Sequence, residues 1–284
     1  MKYLFVHQNF PGQYRYLAPS LAKDPSNVVV ALGDKKNIPD PAHNRTRVKI
    51  VGYASPRGAG AETHHYIRNL EAAVRRGQQA VRTALQLKEQ GFYPDVVCAH
   101  PGWGDTLYFK DIFPQAKQLS FFEFYYRAEG SDVGFDPEYP TSFDDTFRLR
   151  TKNTVNLLTL EAADRGVSPT RWQWQQFPPE YRDKIEIIHD GVDTDRIAPD
   201  PTARVTLPTG RVLDCGAEVI TYVARNLEPY RGFHSFMRAL PEILRARPRA
   251  QVLIVGGEDV SYGRRPSQGT YREQLTAEVG QQLP

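Results

Sequence analysis

The sequence predicts an α/β protein: a doubly wound parallel sheet at the N-terminus, followed by an incomplete second unit of the same kind. Three observations carry this. Short apolar runs, each closed by a polar or glycine-rich turn, recur through the first two-thirds of the chain, as in strands buried on both faces. Helical stretches separate most of them, the alternation that calls for an open parallel sheet. A proline-rich break then interrupts the pattern, and a shorter strand–helix alternation restarts beyond it.

The predicted strands are Tyr3–Val6, Val28–Leu32, Val48–Val51, Val96–Ala99, Leu119–Phe122, Gly166–Val167 and Ile185–Ile188. One long helix is expected from about Ala61 to Gln90, with Ile67, Leu70, Val74, Val81 and Leu85 at helical spacing. A second is expected from Ser142 to Asp164, including Val155, Leu158 and Ala162. Between Ala198 and Gly216, Pro199, Pro201, Pro208 and Gly210 remove any periodicity. Beyond it, Val219–Val223 and Val252–Val255 read as strands, and Gly232–Arg247 and Tyr271–Val279 as helices. The expected organisation is a first domain at 1–199, a linker at 200–216 and a partial second domain at 217–284. No internal repeat or low-complexity segment is evident.

Composition narrows the function classes. Apolar residues form 40% of the chain, enough for a sizeable core, and a formal net charge of +3 is too small to argue for nucleic acid. Basic residues cluster between Arg225 and Arg249. Two cysteines, Cys98 and Cys215, cannot build a disulfide framework or a metal cage, and a reducing, cytoplasmic setting fits. Tyr3–Val6 is too short for a signal sequence, and no later run is long enough to span a membrane; a peripheral membrane contact stays open.

In doubly wound sheets, ligands bind outside the carboxyl ends of the strands, so residues just after each strand matter most. His7 to Gln13 follows the first strand and is expected to open the next helix; Gly12 there lets a ligand approach the backbone, or simply makes the turn. His100-Pro101-Gly102-Trp103-Gly104 follows the fourth strand. His100 can hydrogen-bond a sugar hydroxyl and Trp103 can stack on a sugar face; equally, they are a turn histidine and a core anchor. Glu123 follows the fifth strand, and can accept from an acceptor hydroxyl or from His100, or pair with Arg127, the structural reading slightly favoured. Arg225 leaves a strand end and Arg231 is expected at the start of the next helix, where two guanidiniums form a diphosphate clamp. A cation placed there opposes the helix dipole, which suggests an intervening anion. Gly256 and Gly257 offer a second close approach for a nucleotide. The sequence contains no phosphate-binding Gly-x-x-x-x-Gly-Lys loop, Ser-His-Asp set or metal-spaced cluster, and no metal is expected.

With these residues in place, the sequence resembles the group 1 (family 4) retaining glycosyltransferases of the GT-B class. FVHQNFPGQYRYLAPSLA (5–22) and FFEFYYRAEGSDVGFDPEYP (121–140) resemble a bacterial subgroup marked by the HQNFPGQ motif. SPTRWQWQQFPPEYRDKIEIIHDGVDTDRIAPD (168–200) is similar to the wider family at the end of its first domain. VARNLEPYRGFHSFMRALPEILRARPRAQVLIVGG (223–257) is similar to the start of its second. The resemblance implies a GT-B fold of two Rossmann-like domains, phosphate-binding positions at Arg225 and Arg231, the loop glycine at Gly12 and the donor-side histidine at His100. Arg231 replaces the family's lysine at slightly longer spacing, and Asp190 replaces asparagine in the Asn-Gly-Val-Asp position.

The same resemblance implies transfer of a sugar from a nucleoside diphosphate to a sugar or glycolipid hydroxyl, with retention, in polysaccharide or glycoconjugate synthesis, and without a metal or other cofactor. The family's paired-glutamate motif, base-binding loop and C-terminal crossing helix do not occur in this chain. It is therefore expected to be C-terminally truncated, inactive by itself, and open to self-association along the second sheet's edge. A GT-B-like sugar-nucleotide epimerase and a non-catalytic sugar- or partner-binding fragment are the competing readings.

Overall fold

A computed structural model describes residues 1–40 and 43–283. The chain divides into two compact units, Met1–Gly191 and Val192–Pro284. In the first unit, β1 (Lys2–Val6), α1 (Leu17–Lys23), β2 (Val28–Asp34), β3 (Lys49–Tyr53) and α2 (Arg68–Glu89) lead into β4 (Val96–Ala99). After them come α3 (Phe109–Ile112), β5 (Lys117–Phe121), α4 (Phe143–Lys152), α5 (Thr154–Ala162), β6 (Arg165–Ser168), α6 (Arg171–Gln176), α7 (Pro179–Arg182) and β7 (Ile185–Ile187). The seven strands form one sheet in the order β3-β2-β1-β4-β5-β6-β7, every pair parallel.

The apolar runs specify this because successive side chains of a strand leave opposite faces of the sheet. Leu4 and Val6 pack with Val30, Leu32, Val97 and Ala99 against α2 and α3. Phe5, from the same strand, packs on the other face with Val29, Ala31, Cys98 and α1. Both faces are covered, which is why the runs are continuously apolar. Burial pushes the Cys98 thiol up to about 12, so this cysteine behaves as a small apolar side chain.

Three expectations are corrected. The long helix starts at Arg68, not Ala61, because residues before it are drawn into side-chain contacts: Thr63 donates to Glu71, and His65 Nε2 lies 3.1 Å from Asp144 on α4. Its buried face is mostly small residues, Ala73, Gly77, Ala80, Thr83 and Ala84, closed by Leu87, whereas Ile67 and Leu85 are exposed. The helix expected over Ser142–Asp164 is two helices, parted at Asn153, whose amide is turned to the backbone of Tyr126.

In the second unit, a short antiparallel hairpin of β8 (Val205–Thr206) and β9 (Val212–Leu213) precedes β10 (Val219–Asn226), α8 (Phe233–Ala246), β11 (Gln251–Gly257) and α9 (Tyr271–Val279). β10 and β11 pair in parallel, and Phe233, Met237, Leu240, Leu275 and Val279 form the core. Among the described residues, no helix is long and apolar enough to cross a membrane.

Candidate functional site

In the first unit, the residues singled out after β1, β4 and β5 meet, because those three strands are neighbours in the sheet. Gly12 stands in the left-handed region (φ +45°), in a 3-10 turn, and α1 starts only at Leu17. The expectation that the His7–Gln13 loop opens directly into an α-helix is thereby corrected. A Cβ on Gly12 would lie 2.5 Å from His7 Nε2, so glycine is needed for the loop to close over the imidazole.

His7 is buried, with Nδ1 accepting the Asn9 N–H at 3.0 Å. Burial and the neighbouring His100 hold its pKa down at about 4, against opposing help from Gln13 and Glu123. The ring of His7 lies 5.4 Å from that of His100 and 5.0 Å from Trp103. Trp103 stacks on His100 with centroids 4.5 Å apart and planes at 27°. His100 accepts the Gly102 N–H on Nδ1 at 3.2 Å, and its Nε2 lies 3.0 Å from Glu123 Oε2. The imidazole is 5% exposed and the Glu123 carboxylate 47%, so Glu123 is the member of the pair that reaches solvent.

This corrects the favoured pairing of Glu123 with Arg127, whose Nε donates instead to the carbonyl of Gln176 at 2.8 Å. The segment after β5 is held from below. Asn153 accepts the Tyr126 N–H at 3.0 Å and donates to the Tyr126 carbonyl at 2.7 Å, Asn156 donates to the Phe124 carbonyl at 3.1 Å, and Lys152 sits 3.6 Å above the Tyr126 ring. Asp190, just after β7, belongs to the same electrostatic neighbourhood: burial and the Glu123 charge push its carboxyl above the usual range. The sequence reading includes His7 in the loop after β1 without giving it a role of its own, and it passes over Asn153; the strand-end position of His7 is the available signal.

In the second unit, Arg231 ends a 3-10 turn, and α8 begins two residues later at Phe233 behind Gly232. Arg231 therefore lies just ahead of the α-helix, which starts one residue later than the expected Gly232. Its Nε lies 3.4 Å from Glu228 Oε1, and its guanidinium lies 5.4 Å from the ring centre of Tyr262. Arg225 is exposed near the end of β10, and no ion pair engages it among the described residues. Gly256 and Gly257 are small for internal reasons: a Cβ on Gly256 would meet the Ala224 carbonyl at 2.9 Å, and one on Gly257 would meet Asn226 Oδ1 at 2.6 Å. The close approach there is made by the chain's own loop. No group of three or more His, Cys, Asp or Glu side chains among the described residues is arranged to hold a metal ion.

The fold is similar to two solved structures. One is the S. aureus MnaA–UDP co-structure, 8% identical, covering 98% of this chain and 65% of that one, with a TM-score of 0.50. The other is the catalytic domain of starch synthase IV from Arabidopsis thaliana bound to ADP and acarbose, 13% identical, covering 99% and 70%, with a TM-score of 0.50. At these identities the likeness is one of fold alone, the GT-B fold with its Rossmann-like units. In sequence, the chain is 40% identical over 73 residues to the GDP-mannose-dependent alpha-(1-6)-phosphatidylinositol monomannoside mannosyltransferase of Mycolicibacterium smegmatis. That match spans 26% of this chain and 19% of the relative. The family model described as glycosyl transferase family 4 group matches residues 25–197, more than half of the chain. With His100, Trp103 and Glu123 inside that match, the chain belongs to the glycosyl transferase family 4 group.

Proposed function

We propose that the chain serves sugar transfer from a nucleoside-diphosphate sugar to a hydroxyl acceptor, with retention at the anomeric carbon. The observation that carries this reading is the meeting of the Gly12 loop, Trp103, His100 and Glu123 at the carboxyl ends of three adjacent parallel strands. That is where a doubly wound sheet receives its ligand. Trp103 offers an aromatic face to a sugar ring, and Glu123, held by His100, accepts a hydrogen bond from a sugar hydroxyl. Arg225 and Arg231 take the diphosphate, Arg231 being the better anchored.

In this reading the bond between the anomeric carbon and the diphosphate oxygen breaks while the acceptor oxygen bonds to the same face of that carbon. The acceptor proton passes to the departing diphosphate. No side-chain nucleophile is required, and the protein's work is positioning and stabilisation of the charge that grows on the diphosphate. The two guanidiniums supply the opposing positive charge, and no resident metal or other cofactor is assigned.

Saturation-transfer NMR on the purified chain with GDP-mannose, UDP-glucose and ADP-glucose tests the reading. The expected result is contact with at least one donor, lost in Arg225→Ala; contact with none of a broad donor panel overturns it. GDP-mannose comes first because the mycobacterial relative is GDP-mannose-dependent. The upward push of burial and the Glu123 charge on the Asp190 carboxyl favours one second reading, acid–base epimerisation of a sugar nucleotide. Conversion of donor without any acceptor would support that alternative; nucleoside diphosphate release that depends on an added hydroxyl acceptor would support transfer.

A further inference from the structure

The turn between β10 and α8 contains a carboxylate that the donor-site reading leaves without a task. Glu228 is fully buried. Its Oε2 accepts two backbone N–H groups from the segment after β11, Ser261 at 2.8 Å and Tyr262 at 2.9 Å. Its Oε1 accepts no hydrogen bond and faces Arg231 Nε at 3.4 Å. The same two segments are joined by Asn226 Nδ2, which donates to Ser261 Oγ at 2.7 Å, and by the rings of Tyr230 and Tyr262, 4.9 Å apart. The Tyr222 hydroxyl donates to the Arg231 carbonyl at 2.9 Å, fixing the backbone from which the guanidinium springs.

A carboxylate taken wholly out of water is costly unless charge and hydrogen bonds compensate it. A neutral glutamine would accept the same two N–H groups without that cost, so the charge needs a reason. Arg231 gives one. A long arginine side chain, half-exposed, samples many rotamers, whereas one engaged at Nε and flanked by Tyr262 has its plane defined. No hydrogen bond among the described residues engages its Nη1 or Nη2, so its forked end remains for an oxyanion.

We propose that Glu228 is a positioning residue for anion binding: it holds Arg231 through Nε and pins the Ser261–Tyr262 segment beside it, presenting the Nη edge to phosphate oxygens. The inference rests on the reading of Arg225 and Arg231 as the diphosphate site. It also fixes a sign that simple electrostatics would reverse. Removing a negative charge beside an anion site should strengthen binding if charge alone mattered; removing a positioning group should weaken it.

The test titrates the full chain with inorganic pyrophosphate and with GDP, following the arginine Nε–H resonances by NMR, which reads weak binding directly. Glu228→Gln keeps the size and still accepts the two backbone N–H groups. It should lower pyrophosphate affinity roughly tenfold, as loss of a group coupled to a charged ligand contact does. In an Arg231→Ala background the same change should have no further effect, because the two residues act as one unit. Unchanged or tighter binding by Glu228→Gln, or losses that simply add in the double variant, would overturn the inference while leaving the diphosphate site standing. Should Glu228→Gln fail to fold, Glu228→Asp decides: it keeps the charge but its shorter side chain withdraws the carboxylate from Arg231 Nε. A roughly tenfold loss supports Glu228 as the holder of the guanidinium, and wild-type affinity refutes it. A wild-type chain that binds neither probe overturns the diphosphate reading and this role with it.

Discussion

His100 is held at both ring nitrogens, and the second of them joins it to Glu123. Because Nδ1 accepts the Gly102 N–H at 3.2 Å, the proton of the neutral ring resides on Nε2 and is donated to Glu123 Oε2 at 3.0 Å. The imidazole is therefore engaged within the protein, and the carboxylate, nearly half exposed, carries the polarity of the pair to the surface. The consequence is a division of labour in which His100 orients and Glu123 contacts.

Glu123→Gln tests that division. Its unfolding free energy should change by less than about 1 kcal/mol, since the Glu123 side chain is nearly half exposed and the Gln oxygen still accepts the His100 Nε2–H. Turnover in any assay that reports transfer should fall roughly 100-fold, the cost of misplacing a reacting group by about an ångström. Parallel urea denaturation and initial rates check it; a large loss of stability with unchanged turnover would make the pair structural.

His7 should make stability depend on pH. In the native state it stays neutral down to about pH 4, whereas in the unfolded chain it takes a proton below about 6.5. The unfolded state thus binds more protons in between, and stability is full above 6.5 and lost as pH falls towards 4. The gap amounts to roughly 3 kcal/mol. His7→Asn, which keeps an acceptor for the Asn9 N–H but does not titrate, should flatten this part of the curve. Denaturation midpoints at pH 7 and 4.5 give the comparison; equal pH dependence in both proteins would count against it.

Gly12→Ala should destabilise the first unit. The substitution puts a side chain in the left-handed region and its Cβ 2.5 Å from His7 Nε2. Backbone strain alone costs about 1–2 kcal/mol, and the displaced imidazole adds to it. A urea midpoint equal to that of the wild type would show that the loop simply moves away.

Arg225→Ala should weaken nucleoside-diphosphate binding by about 1.5–3 kcal/mol, the range for a hydrogen bond to a charged group. Because the side chain is exposed and unpaired among the described residues, melting temperature should not change. Calorimetry with GDP showing unaltered affinity would remove Arg225 from the site.

The strands were legible because their chemistry is local. Continuous apolar runs such as Val28–Leu32 and Val96–Ala99 need cover on both faces, and a parallel sheet clothed by helices is the arrangement that provides it. The carboxyl-end rule then located Gly12, His100 and Glu123, and the amphipathic spacing of Phe233, Met237 and Leu240 located α8. Pairing was not local. Glu123 had two candidate partners in the sequence, His100 and Arg127, and only the adjacency of β4 and β5 brought His100 to it while Arg127 turned to Gln176. Asn153 reads as helix interior until the backbone of Tyr126 offers it two hydrogen bonds. Glu228 reads as one more surface glutamate in a charged loop until the segment after β11 folds over it and takes it out of water. Sequence sets which faces of the elements must be buried, because burial follows from side-chain type. Which polar group meets which depends on the packing of segments far apart in the chain, and that was decided only when the sheets closed.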